Sequence, residues 1–168
     1  LADRLAGHYD PNDNNFGKAV RTFVENVTNY MELVYDLRSI PEDQTWEDDR
    51  TDAILHLMEF LKNAGRLERY KKYVHDLIKQ HVAASNFVEA GKAILMHANL
   101  YEWNDHTEEP ALENGIPKQT RTERKLFLYK QAVQLFDKGK MWEQCISLLN
   151  EIKMAPVTVE VSEIDNQI

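Results

Sequence analysis

The chain has 168 residues, 43% of them hydrophobic, enough for one domain with a real core and too few for two comfortable ones. Twenty Lys and Arg against 28 Asp and Glu give a net charge of −8, a balance that repels nucleic-acid phosphates and anionic lipid unless basic residues gather on one face. One cysteine excludes an internal disulfide framework and a cysteine-rich zinc site, and no run reaches the roughly 18–20 apolar residues of a membrane span.

The opening, LADRLAGHYD, has no initiator Met and is no signal peptide, so the sequence is expected to be a piece of a longer, intracellular protein. After a fragment of helix, HYDPNDNNFG is dense in Asp, Asn, Pro and Gly and is expected to be a loop. From Lys18 to Arg38 the apolar residues Val20, Phe23, Val27, Tyr30, Val34 and Leu37 step by three and four, predicting a long amphipathic helix. The segment SIPEDQTWEDDR interrupts it as a charged connector anchored by Trp46. Thr51 or Asp52 is expected to cap the next helix, carrying Ile54, Leu57, Met58 and Leu61 and closed at Gly65. Leu67, Tyr70, Val74, Leu77, Ile78 and His81 mark another helix, and Ser85 or Asn86 caps one from Phe87 to about Trp103.

The polar stretch 104–120 is long for a connection inside a compact domain, which makes it a mobile insertion or a functional loop. Helices are predicted over 121–137 and 141–152, folded back on each other through a glycine-bearing turn at Gly139. In the second of these, Trp142, Cys145, Ile146, Leu149 and Ile152 are expected to form a single buried face. Beyond Pro156, VTVEVSEI alternates in a strand-like way and is expected to be an extended tail. Weak internal similarity among the helix pairs predicts an all-α, helical-repeat-like antiparallel array of about five to six helices over 1–155, with 156–168 as an extended tail that is native, displaced or non-native.

The residue pattern offers no reaction centre. None of the six histidines forms a zinc-binding i, i+4 pair around a Glu, and the calcium-loop-like run Asp10, Asn12, Asp13, Asn15 has Arg21 where a bidentate Glu belongs. The carboxylates of Glu42, Asp43, Glu47, Asp48 and Asp49 share one polar environment, which would leave all of them ionised. The glycines are isolated, without a phosphate-binding pattern. The expectation is a non-enzymatic segment with no cofactor and no metal.

Surface remains. On a helical wheel from Phe87, the positions Phe87, Ala90, Ile94, Ala98 and Tyr101 make one inward face, while Met96 and Trp103 project from the opposite stripe with Leu100 at its edge. Phe127 likewise sits among Lys130, Gln131 and Gln134. Met96, Leu100, Trp103 and Phe127 are therefore either covered by the adjacent 104–120 loop or form an interface with another protein chain.

Two stretches, ERYKKYVHDLIKQHVAASNFVEAGKAILMHANLYEW and ERKLFLYKQAVQLFDKGKMWEQCISLLNEI, resemble the first helical lobe of the exchange-factor domain in the dedicator-of-cytokinesis family. The run Lys138 to Glu143, Lys-Gly-Lys-x-Trp-Glu, is its most specific part; the resemblance is good from about 68 to 152, weaker over 17–67 and absent after Pro156. It implies a non-catalytic helical lobe of a guanine-nucleotide releasing factor for Rho-type GTPases such as Rac or Cdc42. Such a lobe would support the lobes that grip the GTPase and contribute to homodimerisation in small-GTPase signalling to the cytoskeleton. The parent would be cytoplasmic and recruited to the plasma membrane without inserting into it, and no nucleic acid would bind. The alternative is a freestanding helical-repeat adaptor for a peptide or partner protein.

Overall fold

The computed structural model describes residues 14–112 and 115–155, and the expected opening helix fragment and the 156–168 tail lie outside them. Among these residues six α-helices follow one another: α1 Asn14–Ser39, α2 Glu47–Asn63, α3 Leu67–Ala83, α4 Phe87–Ala98, α5 Arg121–Lys138 and α6 Trp142–Met154. A short 3-10 turn, Gln44–Trp46, precedes α2, and two-residue strands β1 (Glu108–Glu109) and β2 (Gln119–Thr120) pair antiparallel between α4 and α5. The fold is an all-α helical array, and its packing divides between Tyr70 and Lys71 into two compact units.

In the first unit α1 and α2 pack together, and Leu37, Ile54, Leu57, Met58 and Leu61 are buried. α1 starts at Asn14, four residues before the expected Lys18, so the end of the supposed loop is already helical. Of the predicted stripe on α1, Leu37 is buried and Tyr30 and Val34 are half-buried, but Phe23 and Val27 are exposed. The reason is length: Tyr30 stacks on Phe60, near the end of α2, so the first half of the 26-residue α1 runs beyond the 17-residue α2. Neither Thr51 nor Asp52 caps α2, which begins four residues earlier at Glu47. Its first turn holds Glu47, Asp48 and Asp49, where negative charge meets the positive end of the helix dipole. Gly65 closes the connection to α3 with φ +67, a conformation costly to residues bearing a Cβ.

In the second unit the core consists of Ile94, Ala98, Tyr101, Ile116, Leu128, Tyr129, Ala132, Phe136, Leu148 and Ile152. α4 and α5 form its main pair. They approach so closely at Gly91 that a Cβ there would come within 2.8 Å of the Phe136 ring. Asn86 occupies the N-cap position of α4 without a side-chain cap bond, while α5 starts with a full capping box between Thr120 and Glu123. Gly139 serves the turn into α6 by being small: a side chain there would strike the Val88 methyl at 2.7 Å, and the left-handed conformation is taken by Lys140 at φ 57.

The α5–α6 hairpin forms, but the single buried face expected on α6 does not. Leu148 and Ile152 are buried and Cys145 is half-buried, its Sγ donating to the Val133 carbonyl at 3.5 Å. Trp142, Ile146 and Leu149 are exposed, Trp142 by 58%. The apolar arc of α6 is simply wider than one neighbouring helix can cover, and α5 takes the side bearing Leu148 and Ile152. The two aromatics of this hairpin should therefore differ in urea melts: Phe136→Ala, at a site 1% exposed, lowers stability by about 3–5 kcal/mol, whereas Trp142→Ala costs less than about 1 kcal/mol. Equal losses would mean that α6 packs through its Trp142 side instead.

Candidate partner interface

The first turn of α5 is built from Arg121, Thr122, Glu123, Arg124 and Lys125, and most of its charge points inward. The capping box fixes it: Thr120 N–H donates to the Glu123 carboxylate at 2.8 Å while Glu123 N–H donates to the Thr120 hydroxyl at 3.3 Å. Arg124 is then fully buried, donating from Nε to Gln119 at 3.1 Å and from Nη2 to the carbonyls of Pro110 and Pro117 at 2.9 and 2.8 Å. Lys125 donates to the Tyr101 carbonyl at 2.9 Å and lies over the rings of Trp103 and Tyr129 at 5.0 and 5.6 Å.

Glu109, on β1, gathers the rest. Its buried carboxylate accepts from Lys71 of α3 at 2.9 Å, from Arg121 Nε at 2.8 Å and from the Tyr101 hydroxyl at 3.3 Å. Burial pushes this carboxyl up, but the hydrogen bonds and charges of Lys71 and Arg121 outweigh it and hold the group below its ordinary range. Arg121 also donates to Asp105 at 3.0 Å; hydrogen bonds from Thr107 first and Arg121 second hold Asp105 to about 2. His97 sits 3.0 Å from the Tyr101 hydroxyl. Since that hydroxyl donates onward to Glu109, the His97 Nε2 carries the proton, an assignment from the network. Burial, then the positive surroundings, lower His97 to about 3, so it is neutral near pH 7.

This network decides the character of the 104–120 connection. Glu109 and Gln119 bond inward, its strands pair Glu108 with Thr120 and Glu109 with Gln119, and Ile116 is buried in the core. The expectation of a mobile insertion gives way, over the described residues, to an anchored strap. Fixed donors hold the Glu109 and Asp105 carboxylates ionised, and burial holds His97 neutral.

The four residues singled out from the sequence all belong to the second unit. Leu100, Trp103 and Phe127 are partly buried against the core of the second unit, and Met96 is half-buried on α4. α4 ends at Ala98, five residues short of Trp103, so Leu100 and Trp103 do not continue the helical stripe of Met96. Trp103 instead meets Tyr129 edge-on, with ring centroids 5.5 Å apart. The largest apolar exposure in the second unit is elsewhere, on Trp142, Ile146, Leu149 and Met154 of α6. That surface was written in the wheel as an over-wide apolar arc, a signal for a face that its own hairpin cannot fill. Among the described residues, no three His, Cys, Asp or Glu side chains could hold a metal ion together.

No family model matches the chain. It is 33% identical over 132 residues, 78% of its length, to dedicator of cytokinesis protein 3 of mouse and of human, and 32% identical over the same span to human dedicator of cytokinesis protein 4. The DOCK-like protein 1 of Saccharomyces cerevisiae is 25% identical over 143 residues. The chain spans only 6 to 7% of the length of these relatives.

The neutral, buried His97 contributes to the acid limb of stability, as does the adjacent His75, which burial also lowers. An unfolded chain takes up the His97 proton near pH 6.5 and the folded one only near pH 3, so the stabilisation is complete above pH 6.5 and is lost as pH falls through that window. Between pH 6.5 and 5 the loss should approach about 2 kcal/mol. Thermal melts across this range should show a falling midpoint for the wild type and a flatter profile for His97→Gln, whose amide can still donate to Tyr101. Parallel profiles would show that His97 titrates normally.

Proposed function

Because the chain belongs to the dedicator-of-cytokinesis family, we propose that it is a non-catalytic helical lobe of a guanine-nucleotide exchange factor for Rho-family GTPases such as Rac or Cdc42. In this reading it supports the lobes that perform exchange and helps bring two copies of the parent together in cytoskeletal signalling. The parent works in the cytoplasm and is recruited to the plasma membrane by other segments; no helix of the described residues is long and apolar enough to cross a membrane.

The observation that carries this reading is the shoulder of Trp142, Ile146 and Leu149 on α6. Exposed apolar residues at i, i+4 and i+7 on a helix already packed along its other side are suited to receive a further helix, as consecutive pairs do in stacked arrays. A supporting lobe needs such a shoulder, and the inward-bonded charges of the strap fit a scaffold better than a site aimed at a nucleotide. Self-association is assigned to the patch of Met96, Leu100, Trp103 and Phe127, beside the α4–α5 pair, where half-buried apolar side chains can be completed by the same patch of a second copy.

Two measurements test this. The chain alone should leave the release of fluorescent GDP from Rac and Cdc42 at its intrinsic rate; clear acceleration would show that exchange groups are present after all. In sedimentation, the wild type should run as a dimer and the double variant Met96→Glu, Phe127→Glu as a monomer of half the mass with helical circular dichroism retained. Trp103 is left intact in that variant because its ring braces Tyr129 and Lys125. A wild type that is monomeric, or a folded double variant of unchanged mass, would remove the assigned surface.

A further inference from the structure

We propose that the hollow beside Trp46 in the first unit is a docking site for a basic segment of a partner protein, receiving an Arg or Lys side chain. The hollow has a volume of about 310 Å³ and lies between α1, the connector and α2. Leu33, Ile40 and Trp46 supply its apolar wall, and Asp36, Asp49 and Asp52 its carboxylates, with His56 also in the lining. This volume is at the lower end of ligand pockets, roughly 300–1,000 Å³, and suits one long side chain better than a cofactor.

The chemistry is specific to such a side chain. Lys and Arg carry an apolar stem and a charged head, and the site offers an apolar wall for the one and carboxylates for the other. Trp46 is 44% exposed, leaving indole surface for a guanidinium or ammonium to lie against. Its turn is fixed in advance: Trp46 N–H donates to the Asp43 carbonyl at 3.2 Å and Thr45 N–H to the Asp43 carboxylate at 2.8 Å.

No internal cation answers these carboxylates. Asp36, Asp49 and Asp52 make no ion pair among the described residues, and the nearby Arg50 is already engaged by the Ile40 carbonyl at 3.2 Å and by Glu42 at 3.3 Å. The connector and first turns of α2 add Glu42, Asp43, Glu47 and Asp48, within a chain of net charge −8, so the field draws in a basic partner and repels nucleic acid or an anionic membrane. The described carboxylates and His56 do not converge as a metal site. This inference stands independently of the exchange-factor reading.

The test uses the whole chain and a short synthetic peptide of alternating Arg and Leu, with an otherwise identical peptide bearing neutral citrulline for Arg. Nitrogen–proton NMR should show saturable shifts at the Trp46 indole and at Asp49 and Asp52 with the Arg peptide and none with citrulline. Calorimetry should show binding weakened about tenfold or more by Asp49→Asn with Asp52→Asn, and likewise by Trp46→Ala. The Asn variant changes only exposed groups, so it decides the matter if Trp46→Ala unfolds. Shifts spread evenly over acidic residues elsewhere, binding unchanged in the Asn variant, equal binding of the citrulline peptide, or no saturable binding would each overturn the proposal, as would tight uptake of a divalent cation at the same residues.

Discussion

The second unit depends on one carboxylate. Glu109 is almost fully buried, and its two oxygens take hydrogen bonds from Lys71 on α3, Arg121 at the start of α5 and the Tyr101 hydroxyl just after α4. Three separate segments of chain are tied at that point. A buried ion pair gains little over a well-packed apolar replacement, but losing one partner strands the other charge at a cost of about 3–5 kcal/mol. The network therefore acts through specificity more than through net stabilisation: an ionised group at position 109 meets the buried ammonium of Lys71, while Arg121 is shared between Glu109 and Asp105. That constraint places β1 beside β2, fixes the path of the strap, and with it sets Trp103 against Tyr129.

The same network explains what the sequence could and could not convey. Helix existence was legible throughout, because apolar spacing at three and four residues is dictated by burial of one side. The strap was not. A run such as NDHTEEPALENGIPKQT is polar by composition, and composition cannot distinguish a residue bonded to water from one bonded inward, as Glu109 and Gln119 are. Arg124 is the extreme instance: its guanidinium is fully buried by carbonyls of Pro110 and Pro117, yet nothing in a helical pattern marks an arginine for the interior. Periodicity also overstates coverage. Phe23 on α1 and Trp142 on α6 both belong to well-formed apolar stripes and both are exposed, since a stripe records that a face seeks a partner and is silent on whether its own hairpin supplies one. For the four residues of the candidate interface, the wheel failed where the helix ended: Asn99 closes α4, so Trp103 is placed by the strap.

The distribution of uncovered surface bears on the proposed role. Exposed apolar side chains scattered singly need no explanation, but Trp142, Ile146 and Leu149 form a line along one helix. A reactive site would concentrate groups with mismatched protonation states at a cleft. Here the groups with displaced protonation, His97, Glu109 and Asp105, are tied into a strap that holds connections between helices. Their displacement follows from structural pairing and burial.

The two units divide that outward character between them. In the second, Glu109 of the strap is paired with Lys71 and Arg121, and the largest apolar exposure is the shoulder of α6, which calls for a helix. In the first, Arg50, within the acidic run from Glu42 to Asp52, is spent on Ile40 and Glu42. Part of this acidity serves the fold, since Glu47, Asp48 and Asp49 lie at the positive end of α2. The dipole effect fades within the first turn, so it does not account for Asp52, nor for Asp36 on α1 facing the same hollow. Charge in excess of what the helix requires, set around an indole and two aliphatic side chains, is a demand for an external cation of amphipathic build, just as an unfilled stripe is a demand for an external helix.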